Sequence, residues 1–476
     1  MSAGSRIEKL PLKCSANTES FARFLKPIQG RDDSKMVNMQ LINLGKLRLD
    51  TYPELVKAVA TVKKAAARGN AQCGRISKEK AEAIAKAADK LAEGGSALEL
   101  LSIYRVMGSP LNRAANCWLA KEAAERSGLE ITADEVNASQ TPTDVSVTVV
   151  NLTAIEVLQE LKDASAAFAE ELRSQAGQFS DVVKCGRVML QDSLPVNLGK
   201  EFQAWAHSID RCRGRIEQEI RELSISLLGA GDVGTSLDVP EGFPLAAADE
   251  LSRATGLLFK PDADFMDGIT AVDRLCSAHA CIQSLATAYW RIMHDLEFLS
   301  SGPRTGIREI ALPAVAPGSS IMPGKINPTM AQLGALLADS VSSNAAALAS
   351  SLQSGWLAEG MRSTIPVKMI MDSGILLARA MLVTKKKLIH GITALKLRAL
   401  GQAEDSAALM IVVEKALGTE AAEKVARRME TDGCNCRDAL VRERILSEEN
   451  ASRLLDVTTL STPRKNTALI ESFRNS

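Results

Sequence analysis

Apolar residues in the middle of the chain recur at helical spacing. Between Asn151 and Lys184, the residues Leu161, Phe168, Leu172, Phe179 and Val183 follow one another at alternating steps of seven and four. That is the seam of a long bundle helix, not the face of a strand. From Thr329 to Gln353 the chain is crowded with alanine, with Leu333, Leu336, Leu337, Val341, Leu348 and Leu352 as its larger apolar residues. Small side chains let helices approach closely, so a helix buried on most of its surface is expected here. Two further long helices are predicted, from Phe265 to about Leu299 and from Met369 to His390. Long helices with few strand signals between them make an all-α bundle.

On either side of this bundle the elements shorten. Up to about Gln140 the helices break at Gly69, Gly94-Gly95 and Gly108–Pro110, and Ser77 is placed to cap the helix carrying Ala81, Ile84, Ala88 and Leu91. Beyond about Lys396 they break at Gly418 and Gly433, and the polar last residues read as a frayed tail. Three domains follow, 1–140, 141–395 and 396–476. The longest irregular stretch runs from Ser300 to Pro328, punctuated by Pro303, Gly306, Pro313, Pro317, Gly318, Pro323 and Gly324. A loop of that length between packed helices is usually functional.

Composition removes several classes of function. Lys+Arg and Asp+Glu both count 57, so nothing electrostatic draws the chain to nucleic acid or to an anionic membrane. Aromatic residues at 4% leave few platforms for stacking bases. No apolar run approaches the roughly 18 residues that cross a bilayer, and the N-terminal residues have no apolar signal core. Nine cysteines are scattered singly apart from Cys434 and Cys436, as expected of reduced thiols in the cytoplasm. His207, His279, His294 and His390 form no zinc spacing with one another or with cysteine, so no metal is expected. The run Gly229-Ala230-Gly231-Asp232-Val233-Gly234 imitates a dinucleotide fingerprint. Pro240, Gly242 and Pro244 follow where that fingerprint needs a helix, so it reads as a connecting loop. Lys385-Lys386-Lys387 reads as the solvated face of a helix.

The long loop contains Gly318-Ser319-Ser320-Ile321-Met322-Pro323-Gly324-Lys325-Ile326-Asn327-Pro328. This string sets two hydroxyls, a cation and an amide on one hinged loop that enters a helix near Thr329. A lysine and an asparagine beside a helix N-terminus suit a carboxylate. A serine next to that carboxylate can take a proton from the adjacent carbon when nearby donors stabilise the oxyanion. Alone, such a loop reads first as an ordinary polar surface loop.

The string resembles the signature of the aspartase/fumarase superfamily, of the class II fumarase and aspartate ammonia-lyase kind. The resemblance runs nearly the whole chain. Arg6-Ile7-Glu8-Lys9 is similar to the family's N-terminal start. Ile103-Tyr104 with Gly108-Ser109, Val136-Asn137 with Ser139-Gln140, and Cys185-Gly186-Arg187 with Leu190-Gln191-Asp192 are similar to the approaches to its three site segments. Gly302-Pro303-Arg304 opens the loop as in that family. The resemblance implies a three-domain, all-α subunit and a homotetramer on a twenty-helix core, with sites shared between subunits. It implies β-elimination from a succinate-like carboxylate, or the reverse addition, without a cofactor. Ser319 takes the place of the family's base, and Lys325, Asn327 and Ser320 that of its carboxylate grip.

The departures are concentrated in the three segments. In the first, Leu111, Asn112, Arg113 and Ala114 stand where the family writes hydroxyls and an amide. In the second, Thr141-Pro142-Thr143 replaces a hydroxyl-hydroxyl-Asn run, and in the third, Val188-Met189 replaces Thr-His or Thr-Gln. The glutamate that accompanies that histidine is here Gln332. Removing both partners avoids a stranded buried charge. Each lost hydrogen bond to a charged group costs about 1.5–3 kcal/mol, so plain fumarate or aspartate is not the expected substrate. Substrate contacts then fall to Asn112, Arg113, Thr141 and Thr143 beside the loop, with the Arg113 fork as the new anion donor. The alternative is a catalytically silent relative with a structural or regulatory role.

Overall fold

The computed structural model describes residues 53–93, 109–316, 318, 321–322, 325–353, 357–358 and 365–475. The N-terminal stretch 6–9, Gly94-Gly95, Ile103-Tyr104, Gly108, Pro317, Ser319, Ser320, Pro323 and Gly324 lie outside them. Helix α1 (Pro53–Gln72) buries Leu55, Ala58, Val59, Val62, Ala65 and Ala66 on α2 (Lys78–Ala92). The α2 cap is Ser77, whose side chain accepts from Lys80 N at 3.3 Å. Helix α3 (Ser109–Ser127) and the short α4 (Ala133–Val136) lead to α5 (Pro142–Gln178). At 37 residues, α5 is about 55 Å long at 1.5 Å per residue. A capping box between Thr141 and Asp144 starts it, with Pro142 in its first turn.

The rest of the bundle is α6 (Leu198–Leu223), α9 (Asp273–Leu299), α10 (Thr329–Leu352) and α11 (Ile365–Lys387). Helices α5 and α6, α9 and α10, and α10 and α11 pack side by side, and α11 returns onto α5. Leu161, Phe168 and Leu172 are fully buried there, each worth roughly 1.5–3 kcal/mol of apolar transfer. Gly334 lets α10 close on α9, since a Cβ there would lie 2.7 Å from Tyr289 Oη and 2.8 Å from Met293 Sδ. Between α6 and α9 stand α7 (Phe243–Thr255) and α8 (Phe265–Thr270). After the bundle come α12 (Lys396–Glu404), α13 (Met410–Leu417), α14 (Thr419–Asp432), α15 (Cys436–Arg442), α16 (Glu448–Leu454), α17 (Val457–Leu460) and α18 (Lys465–Arg474). They surround a core that includes Val413, Val425, Leu440 and Leu454. None of the described helices is long and apolar enough to cross a membrane.

Among the described residues, strand is confined to three two-stranded pairs: β1 (Val183–Val188) with β2 (Gln191–Asn197), β3 (Ile225–Ser226) with β4 (Lys260–Pro261), and β5 (Ile310–Ala311) with β6 (Thr393–Ala394). The first corrects the helical seam predicted up to Val183. The helix ends at Gln178, and Val183 begins a strand, pairing with Asn197 and packing into the C-terminal core. The step of four from Phe179 to Val183 is therefore fortuitous. The helix predicted from Phe265 to Leu299 is divided, because Ala271 leaves helical geometry and Asp264 caps only α8. The helix predicted from Met369 starts earlier, and His390 lies in a 3-10 turn beyond its end. Within one chain α10 is buried on one side only, with Leu333 and Leu336 left exposed.

Candidate active site

The first segment opens α3. Leu111 and Asn112 face inward and are buried, whereas Arg113 is exposed. Both ends of the Asn112 amide are engaged: its oxygen accepts from Lys63 Nζ at 2.5 Å and its nitrogen donates to Asn137 Oδ1 at 2.8 Å. The sequence reading did not single out Lys63. It lies within the apolar register of α1, on the same face as Val59, Ala66 and Ala67, and is fully buried. A charged residue inside an apolar seam was the signal that would have found it. Burial pulls its pKa down to about 7, against the raising influence of Asp144.

The second segment forms the start of α5. Thr141 caps the helix, its hydroxyl accepting from Asp144 N at 3.4 Å and its own N–H donating to Asp144 Oδ1 at 2.8 Å. Thr143 donates its hydroxyl to Asp232 Oδ1 at 2.6 Å. The other Asp144 oxygen accepts the backbone N–H groups of Gly229 and Gly231, both at 3.2 Å. The glycine run that imitates a phosphate loop thus cradles an anion belonging to the protein itself. Burial raises the Asp144 carboxyl to about 7 despite these bonds.

The third segment is the tip of the β1–β2 hairpin. Val188, Met189 and Leu190 are 64%, 92% and 67% exposed. Met189 and Leu190 hold φ of 53° and 62°, a two-residue turn of the kind that favours Asn-Gly. Along the hairpin, Lys184 and Arg187 form a buried charge cluster with Glu309. A cleft of about 600 Å³ on one side is lined by Met189, Trp205, Arg211 and Arg291 among others. One of about 750 Å³ on the other is lined by Leu190, Asp192, Gly306 and Gln402 among others, and Arg187 borders both.

The signature loop is drawn in at its ends. A Cβ on Gly318 would meet the Lys325 carbonyl oxygen at 2.1 Å, so only glycine fits this crossing. Lys325 and Asn327 are exposed, and neither side chain has a hydrogen-bond or ion-pair partner among the described residues. They lead into α10, whose first turn has neither a side-chain cap nor an acidic residue. Free N–H groups, a cation and an amide together suit an anion. Gln332, one turn further on, donates to Glu297 Oε1 at 2.7 Å. The structure brings Asn112 together with the second segment through Asn137.

The comparisons identify the frame. A family model described as "Lyase" matches residues 33–342. The class II fumarate hydratase of Myxococcus xanthus is 34% identical over 401 residues, 81% of this chain and 85% of that one. The aspartate ammonia-lyase of Bacillus subtilis is 30% identical over 421 residues, 87% of this chain and 89% of that one. A fumarate lyase:delta crystallin structure from Brucella melitensis superposes with a TM-score of 0.84 at 29% identity, covering 88% of this chain and 92% of that one. The class II fumarase of Schistosoma mansoni shares the fold, with a TM-score of 0.82 at 23% identity over 90% of this chain and 95% of that one. The chain belongs to the aspartase/fumarase superfamily and is a lyase.

Proposed function

We propose that this lyase eliminates a group from a succinate-like carboxylate, or adds one in reverse, and that plain fumarate and aspartate are not its preferred partners. Ser319 takes the proton from the carbon beside a carboxylate held by Lys325, Asn327 and Ser320. The electron pair left behind forms the double bond as the group on the next carbon departs. The observation carrying the first half is that Lys325 and Asn327, at the uncapped start of α10, have no side-chain partner among the described residues. The second half is supported by how the other polar groups are used. Asn112 and Thr143 donate within the protein, the Thr141 hydroxyl accepts from Asp144 N, and the side chains of Leu111, Val188 and Met189 offer no donor. Arg113, exposed at the start of α3, is the guanidinium this reading assigns to a second anionic group.

The site is completed by further copies of the chain. The exposed hairpin tip and the uncovered Leu333 and Leu336 on α10 support assembly into a cytoplasmic homotetramer with shared sites. The test is ultraviolet absorbance of a new C=C bond across succinates bearing amine, hydroxyl, nitro or hydrazine groups, with aspartate and malate included. We expect one of the other members to turn over fastest, and Lys325→Ala to weaken its binding far more than the exposed-surface control Lys386→Ala. Fastest turnover of malate or aspartate contradicts the specificity, and equal effects of the two lysines contradict the grip. Silence across the panel favours the structural or regulatory alternative.

A further inference from the structure

The ammonium of Lys63 stands between two segments of the candidate site. Its Nζ lies 2.5 Å from Asn112 Oδ1 on α3 and 2.9 Å from Gln140 Oε1, the residue just before the Thr141 cap. An ammonium can only donate, so both amides must turn their oxygens toward it and their NH₂ groups away. The consequences run outward. Asn112 Nδ2 donates to Asn137 Oδ1 at 2.8 Å, and Asn116 Nδ2 donates to the same oxygen at 2.9 Å. Gln140 Nε2 donates to the carbonyls of Val136 and Ala138 at 2.9 and 3.1 Å, while Asn137 Nδ2 returns to Gln140 O at 3.2 Å. One buried cation thereby sets the direction of every amide between the start of α3 and the start of α5.

Stability alone does not explain this choice. Among the described residues no carboxylate comes within ion-pairing distance of Lys63, and Asp144 acts on it only at longer range. A buried charge without a contact partner is expensive, and an apolar side chain of the same length commonly serves a core as well or better. What an apolar side chain cannot do is orient two amides at once. We propose that Lys63 is the positioning residue of the first two site segments, holding Asn112 and Gln140 so that residues 111–113 and 141–143 keep the arrangement a carboxylate substrate meets. This rests on the lyase reading above for its substrate, but not for its geometry.

The test uses the full chain and Lys63→Met, with amide hydrogen exchange and succinate binding as paired readouts. We expect exchange to rise at least tenfold in peptides covering 109–116 and 137–143, with α11 unchanged as an internal reference. Succinate affinity should fall at least tenfold, and Lys63→Arg should recover part of both. Unchanged exchange in those peptides overturns the proposal, as does a uniform rise throughout the chain. Loosened segments with unaltered succinate affinity overturn it as well. Should Lys63→Met fail to assemble, Gln140→Met leaves the ammonium in place and removes one acceptor, and the same readouts decide. If the wild-type chain binds no succinate and turns over none of the panel, the lyase reading fails, while the exchange comparison still decides the role of Lys63.

Discussion

Arg187 donates to the fully buried carboxylate of Glu309 at 2.8 Å, from the last turn of strand before the hairpin tip. Lys184 stands 3.2 Å from the other Glu309 oxygen, close as an ion pair but not aligned as a hydrogen bond. The backbone of Glu309 adds two further ties, donating to Leu299 O at 3.0 Å and accepting from Leu395 N at 2.8 Å. One residue thus joins the end of α9, the third site segment and the strand that leads to the signature loop.

Replacing Glu309 by Gln should therefore destabilise the fold substantially. Lys184 and Arg187 are mostly buried, and among the described residues the half-buried Glu201 would remain paired with Lys184, with Asp295 acting on it at longer range. Removing one partner from such a cluster costs about 3–5 kcal/mol. Chemical denaturation of the two proteins side by side checks this, and a loss below about 1 kcal/mol would show that the cluster is already open to water.

A second prediction concerns acid. His279 is buried between α9 and α11, with Nε2 2.9 Å from Ser373 Oγ and, among the described residues, no partner for Nδ1. Burial lowers its pKa from 6.5 to about 4. In the unfolded chain it gains a proton near its ordinary value, while in the folded chain it resists until about 4. The unfolded state binds more protons across that window, so stability is lost as pH falls through it. The full effect is about 3–4 kcal/mol. His279→Gln should flatten this slope in denaturation midpoints measured at several pH values. An identical slope in both proteins would assign the acid sensitivity to other groups.

Much of this was legible in the sequence. The bundle appeared through Leu161, Phe168 and Leu172, whose spacing reports one buried face, and Ser77 and the 229–234 run were read in their correct roles. The hairpin was missed because Val183 kept helical step with Phe179 while its apolar side chain served the C-terminal core. Periodicity reports burial but not the partner. The same limit applied to Asn112, Thr141 and Thr143. Sequence marked them as polar and well placed, and only coordinates show that Lys63, Asp144 and Asp232 occupy them.

A third prediction follows from those bonds. The triple change Val188→Thr, Met189→His and Gln332→Glu restores the family's usual residues at those positions. It should not create an efficient fumarase, because Leu111 stays buried and apolar and Asn112 stays committed to Lys63. Steady-state hydration of fumarate measures this directly. Brisk turnover by the triple variant would mean that the first two segments contribute little to the second carboxylate.

The most direct measurement is turnover of the accepted panel substrate by Ser319→Ala. The sequence sets Ser319 among loop-forming glycines and prolines, so the melting temperature and the assembly are expected to stay close to those of the wild type. Proton transfer by a positioned group is worth about 10²–10⁴-fold, and the account predicts a loss of at least that size in kcat. Full activity in Ser319→Ala, with the fold intact, would contradict it and place the base elsewhere.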